Sequence, residues 1–328
     1  MKKFLWYTVL SLLLIEIGGH ALALIHLEPT GFKLFLNNSW KNDKNAYADM
    51  DTLVGVWHQP NDSWVKSGPC FTVEMHSNQY GATDNRWDTA QKGYLFLGNS
   101  FIEGYGVSYG QRVSEYFEAL THTEVFNCGM SGTFSPVQYF MTLRKFESTL
   151  PFDTCFVFLT LPEDEKLITR ISPGRYQPYL NDTGIVYTRS QKLFPENKSL
   201  KNKITLAIQQ FSYTYHLYDF FNERNQLKSA LLTKLPRGQE HFTNLQRIVQ
   251  MFCDRYPDKY FYFVLTPNLS SVHEPFLVEK QKNMEVIDLR NCLDKRTDYL
   301  ICNPHWNNLG HAKLANCLFQ KINQPAAP

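Results

Sequence analysis

Residues 94–106 read YLFLGNSFIEGYG, an apolar run that stops at Gly98-Asn99-Ser100 and then turns glycine-rich. Tyr94, Leu95, Phe96 and Leu97 are bulky and bounded by Gly93 and Gly98, which predicts a short buried strand. Beyond Ser100 the apolar residues Phe101, Val107, Val113, Phe117 and Leu120 predict a loop followed by an amphipathic helix. A strand, a tight turn carrying a hydroxyl and then a helix is where α/β proteins place reactive groups, at the carboxyl end of a strand. A serine there presents its Oγ to solvent while the next helix turns N–H groups toward a nearby anion. Such turns are common, so the weight of this one comes from its surroundings.

The segments that follow alternate. Residues 111–120 predict a helix and 124–127 (EVFN) a second strand, followed by the turn Cys128-Gly129-Met130-Ser131-Gly132. Residues 135–145 are helical in pattern, with Pro136 suited to a first turn. Residues 155–161 (CFVFLTL) form a continuous apolar run, the mark of a strand buried on both faces. A helix over 245–255, strands at 260–265 and 286–289, and a closing helix through Leu314, Ala315 and Leu318 complete the pattern. It predicts an α/β three-layer sandwich with a mainly parallel five-stranded sheet over residues 92–323. Residues 166–235 break the rhythm and read as an inserted helical and loop region. Its aromatic helix over 204–221 either lids a cleft or packs its stripe on the core. Residues 31–91 read as an irregular lead-in packed on the main domain, with short strands at 55–57 and 71–75 and a turn at Tyr80-Gly81. A tether from the membrane is the other reading of residues 28–50.

The 328 residues are 43% hydrophobic and 20% charged, values that allow a substantial core. A net charge of +2 with no long basic block excludes nucleic acid as an expected partner. Aromatic residues make up 15% of the chain, which suits a large core or a carbohydrate-lined cleft. Lys2 and Lys3 precede an apolar run from Phe4 to Leu27, and about 20 helical residues cross a bilayer. Glu16, Gly18-Gly19 and His20 interrupt it. Residues 1–30 therefore read as a signal-anchor or a signal peptide, the latter with Ala21-Leu22-Ala23 as a cleavage site. The anchor is favoured because the run continues past that site, and either reading places the main domain outside the cytoplasm. Among seven cysteines, Cys128 and Cys155 lie in apolar runs as buried thiols, while Cys292 and Cys302 are near enough in sequence to pair. There is no His/Asp cluster of metal-binding type, and no cofactor is expected.

Three stretches together resemble a known family. GNSFIEGYG at 98–106 resembles the GDSxxxGxG opening of SGNH/GDSL hydrolases, Asn127-x-Gly129-x-x-Gly132 their NxGxxG block, and NPHWNNLGHAKLA at 303–315 their DxHxNxxGHxxxA close. The resemblance spans residues 50–320 in architecture. Asn78 to Asp84 resembles the NxxGxRD-like element of membrane-anchored members, with Thr83 at the usual Arg. The resemblance implies Ser100 as nucleophile, His305 as general base and the backbone N–H groups of Ser100 and Gly132 as an oxyanion hole. An acyl-serine would then pass its acyl group to water or to a sugar hydroxyl.

The departures from that pattern define the question. Asn99 replaces the Asp of GDS, and Asn303 replaces the triad Asp. An amide can orient the imidazole but offers no countercharge to the imidazolium. Where a GxND block should follow the strand at 155–161, the chain reads Thr160-Leu161-Pro162-Glu163-Asp164-Glu165, and Glu163 or Asp164 replaces a side-chain donor with an acceptor. Asn99 and Glu163 are expected beside the substrate, and Asp288 and Asp298 are candidate stand-ins for the missing carboxylate. His311 is expected to pack or to hydrogen-bond a loop; a capping serine and a merely packed histidine are the bland readings of Ser100 and His305. The expected function is an exported serine esterase or O-acyltransferase acting on acyl, chiefly acetyl, esters of a cell-surface glycan or on a small acyl ester. The alternative is a weak or inactive protein of the same fold that binds a glycan or an envelope partner.

Overall fold

The computed structural model describes residues 2–25, 48–132, 134–171, 175–188, 208, 212–232, 242–269 and 275–323. Helix α1 (Lys2–Leu24) comes first, followed by two antiparallel hairpins. These pair β1 (Ala48–Asp51) with β2 (Gly55–His58), and β3 (Ser63–Gly68) with β4 (Phe71–His76). Alternation then sets in with β5 (Gly93–Gly98), α2 (Ser100–Glu103), α3 (Val113–Thr121), β6 (Val125–Gly129), α4 (Pro136–Phe146), β7 (Phe152–Leu159) and α5 (Glu163–Ile168). A small hairpin, β8 (Pro178–Asn181) with β9 (Gly184–Tyr187), precedes α6 (Tyr213–Leu232) and α7 (Thr243–Arg255). The chain closes through β10 (Tyr260–Leu265), β11 (Met284–Asp288), β12 (Tyr299–Leu300), β13 (Asn303–Trp306) and α8 (Asn308–Asn323).

The predicted α/β sandwich is present. Its sheet has the order β11-β10-β7-β5-β6, and every pairing is parallel. Side chains alternate across each strand, so both faces must be covered. Leu95 and Leu97 of β5 join Val157 and Phe263 in a core with Val137 of α4 and Ile248 of α7. Phe96 points the other way and joins Phe156, Phe158 and Val264 in a second core with Phe117 of α3 and Leu314 of α8. The loop expected after Ser100 is instead the single turn α2. Asn99 caps it by accepting from the Phe101 N–H at 3.1 Å, and Gly104, at φ 87°, ends it.

In the region read as a lead-in, the expected strands at 55–57 and 71–75 fall within β2 and β4, and the rest of 48–91 holds their partners. Residues 26–47 lie outside the described residues, as do 172–174, 189–207, 209–211 and 233–235 of the region read as an insertion and 236–241 after it. The aromatic helix expected from residue 204 is described from Tyr213 onward, with residue 208. The interruptions in the N-terminal apolar run have a local cause. Glu16 caps α6, accepting from Ser212 Oγ at 2.6 Å, Tyr213 N at 2.7 Å and Thr214 N at 3.2 Å. Gly19 leaves room for the Tyr213 ring, which would lie 2.1 Å from any Cβ at that position. Lys3–Leu24 is long and apolar enough to cross a membrane.

The expected Cys292–Cys302 pair does not form. Cys70 bonds to Cys302, and Cys292 to Cys317 of α8. Nearness in sequence decided that expectation, whereas pairing depends on Cα separation, here 5.9 and 6.6 Å for the two observed bonds. Cys128, Cys155 and Cys253 are buried thiols.

Candidate active site

Ser100 stands at the carboxyl end of β5, where β6 and β7 also end. The Gly98 carbonyl accepts from the Met130 N–H at 3.2 Å, joining the first two turns. Asn99 Nδ2 donates to Thr160 Oγ1 at 3.2 Å, joining the third. Gly129 is required by close approach, because a Cβ there would stand 2.2 Å from the Glu103 nitrogen. Asn127 holds the same crossing, with Nδ2 donating to the Ile102 carbonyl at 2.9 Å and Oδ1 accepting from the Gly129 N–H at 2.9 Å. Its backbone N–H reaches Asp84 Oδ2 at 3.0 Å, so the lead-in element ending at Asp84 braces the nucleophile turn from behind.

His305 arrives on β13, and its Nε2 lies 2.7 Å from Ser100 Oγ. The strand is fixed by Trp306, fully buried, whose indole N–H donates to the Pro267 carbonyl at 2.9 Å. The imidazole lies against two rings, Phe101 at 4.5 Å and Tyr105 at 4.4 Å between centroids. Asn303 Oδ1 hydrogen-bonds His305 Nδ1 and also accepts the His305 backbone N–H at 3.2 Å. A backbone N–H can only donate, so the atom facing it is the amide oxygen and Nδ1 carries the proton. Nε2 is then left as an acceptor toward the serine. Burial, and next the nearby Lys66 charge, push the His305 pKa down to about 3 against an opposing pull from Glu103. The ring is a neutral base at ordinary pH.

Around this pair lies a charged cluster that sequence reasoning missed. Glu103, fully buried three residues after Ser100, meets His58 Nε2 at 2.8 Å and Lys66 Nζ at 3.0 Å. Ser131 Oγ donates to the same carboxylate, and Lys66 also donates to Ser131 Oγ at 2.9 Å. Burial alone would raise the Glu103 pKa, but Lys66, His58 and Ser131 hold it well below the usual carboxylate range. Lys66 further lies 4.4 Å over the Tyr105 ring, the one stacked on His305. The cluster fastens β2 and β3 to α2 and to the turn that carries Gly132. Its only local signal was a glutamate inside GNSFIEGYG.

Gly132 has φ 89°, left-handed backbone that favours glycine, and its carbonyl accepts from Arg175 Nη1 at 2.9 Å. Asn99 has both amide atoms engaged in the turn, as described. Glu163 opens α5 with its side chain exposed. Asp164 is fully buried, accepts from the Thr160 N–H at 2.8 Å and lies 3.3 Å from the Tyr139 hydroxyl. Burial pushes its pKa up to about 8, so the buried acid of this block is uncharged at neutral pH. Neither candidate stand-in replaces Asn303: Asp288 is paired with Arg290 at 2.5 Å, and Asp298 with Lys313 at 2.8 Å. His311 accepts from the Val113 N–H at 3.1 Å, a packing role as expected. Among the described residues there is no group of three His, Cys, Asp or Glu side chains placed to hold a metal.

No family model and no curated protein matches the chain. Solved structures similar to it include a salicylyl-acyltransferase, SsfX3, from a tetracycline biosynthetic pathway, at 11% identity and TM-score 0.34, over 73% of this chain and 56% of that one. Another is a Corynascus thermopiles (Myceliophthora fergusii) carbohydrate esterase family 2 enzyme with a carbohydrate binding domain, at 9% identity and TM-score 0.35, over 76% of this chain and 70% of that one. These distant neighbours are an acyltransferase and an esterase. This chain forms an α/β protein in which the end of a parallel sheet brings a serine, a neutral histidine and an asparagine into one hydrogen-bonded line.

Proposed function

We propose that the chain is an SGNH-type serine esterase or O-acyltransferase. The observation that carries this reading is the 2.7 Å contact between Ser100 Oγ and a His305 ring oriented by Asn303. Ser100 attacks the acyl carbon as Nε2 of His305 takes its proton, and the N–H groups of Ser100 and Gly132 receive the oxyanion. His305 then gives the proton to the departing alcohol, leaving an acyl-serine. Water resolves it in an esterase, and a sugar hydroxyl in a transferase. The proposed substrate is an acyl ester, chiefly acetyl, of a cell-surface glycan. Supporting that location are α1, which would hold the domain at a membrane, and two disulfides, which suit an oxidising compartment.

The test is turnover of p-nitrophenyl acetate together with labelling of Ser100 by a fluorophosphonate, with Ser100→Ala as the control. A folded full-length protein that neither turns over nor labels overturns the reading. A second reading is favoured by Asn303 itself, since the Asp-to-Asn change in a serine triad costs on the order of 10⁴ in turnover. In that reading the site binds a glycan or an envelope partner without chemistry, and Ser100→Ala leaves the biological phenotype intact.

A further inference from the structure

Asn303 has a second amide atom to satisfy. Its Oδ1 is taken by two N–H groups of His305, so its Nδ2 is the atom left to donate. Helix α6 packs against β13 and sets Glu223 close enough to Asn303 for that side chain to draw the Glu223 pKa down. The Glu223 Oε2 is buried and has no hydrogen-bond partner among the described residues. A buried carboxylate oxygen of that kind is costly and calls for a functional account.

Resting on the esterase or acyltransferase reading, we propose that Glu223 is a positioning residue whose carboxylate, accepting from the Asn303 amide N–H, supplies through that amide the countercharge that the His305 ring otherwise lacks. The proton still moves only from Ser100 to His305. A carboxylate drawing on the Nδ2–H places more negative charge on Oδ1, which strengthens its hold on the Nδ1–H of the forming imidazolium. Asn303 becomes a link in a line that ends in a carboxylate one residue further away than in an ordinary triad.

Burial, and next the charge of Asp219, push the Glu223 pKa up to about 7, with the Asn303 hydrogen bond pulling the other way. The groups facing it are Asp219 on α6, itself countered by His216, and Asn303 with His305 behind it on β13. Glu16 and His20 of α1 meet α6 at its far end, around Ser212 and Tyr213. Below pH 7 Glu223 takes up a proton and the countercharge is lost; above it the charge is present. His305 is already neutral across this range, and Asp164 changes charge near pH 8, so the Glu223→Gln variant is what separates a rise due to Glu223 from one due to Asp164.

The experiment measures kcat/KM for p-nitrophenyl acetate from pH 5 to 9 on the full chain, with fluorophosphonate labelling and thermal melts as controls. Wild type should gain about tenfold as pH rises through 7, a modest share of what one oriented charge contributes in such a site. Glu223→Gln should lose that rise, matching wild type at pH 5.5 and falling behind at pH 8. In an Asn303→Asp background, where a carboxylate already meets the ring, the same change should cost nothing or bring a gain. A Glu223→Gln protein that keeps the wild-type rise, or that loses the same factor in both backgrounds, overturns the proposal while leaving the esterase reading standing. A wild type that is inactive and unlabelled at every pH overturns both. Should Glu223→Gln fail to fold, the absence of a pH 7 rise in wild type is sufficient to overturn it.

Discussion

At the scale of single residues, Ser100, Asn303 and His305 were legible because motif spacing encodes local backbone. Asn303 reaches His305 Nδ1 from two residues away along an extended strand, and the sequence NPHW states that spacing outright. Glu103 and its partners were not legible in the same way. Lys66 and His58 lie 37 and 45 residues from Glu103, and nothing in one sequence says which distant side chains a fold will bring together. Glu223 is hidden for the same reason, on a helix that the α/β rhythm does not explain. The substitution Asn303→Asp should raise p-nitrophenyl acetate turnover at pH 7 by roughly ten- to a hundredfold, well short of the ~10⁴ separating Asp from Asn in a serine triad, because Glu223 already supplies part of the charge. No gain would show that Asn303 is not rate-determining.

At the scale of elements, the five sheet strands were readable from apolar runs, since a parallel sheet covered on both faces leaves little else for such runs to be. The four-residue α2 was not, because it forms through capping at Asn99 and the left-handed Gly104, not through periodicity. What holds α2 in place is the ionic cluster. Glu103→Ala strands Lys66 and His58 without their carboxylate, and loss of one partner of a buried pair costs about 3–5 kcal/mol. Urea unfolding should show a loss of that size, with Ser100 labelling weakened in what remains folded. The start of α5 has its own pH signature. Asp164 keeps its proton in the folded state up to about pH 8 but releases it on unfolding above about pH 4, the ordinary carboxyl range. Raising the pH through that window therefore favours unfolding, and the stability linked to this proton is complete only below it. Asp164→Asn should remove the loss, so that the melting-temperature difference from wild type grows in the mutant's favour between pH 5 and pH 8. A difference that stays constant with pH would mean that Asp164 is ionised in the fold.

For the molecule as a whole, the interrupted apolar run was legible as a helix long and apolar enough to cross a membrane, but the reason for its interruptions was not. Glu16 and Gly19 serve α6, and α6 leans on the strand that carries His305. Cleavage after residue 23 would strip α6 of its cap, an interaction that typically contributes about 1 kcal/mol. On the anchor reading, the protein recovered from membranes should have the mass of the uncleaved chain; a mature N-terminus near residue 24 would rule this out. The Cys70–Cys302 bond has a different reach. It closes a covalent ring around everything from the β3–β4 hairpin to the threshold of β13, with Ser100 inside the ring and His305 just beyond it. A protease cutting any one peptide bond between those two cysteines therefore makes two polypeptides but not two molecules. Such a nicked protein should migrate as fragments only after reduction, with the fluorophosphonate label on the fragment holding Ser100. Without reductant it should run as one species that still carries nucleophile and base together.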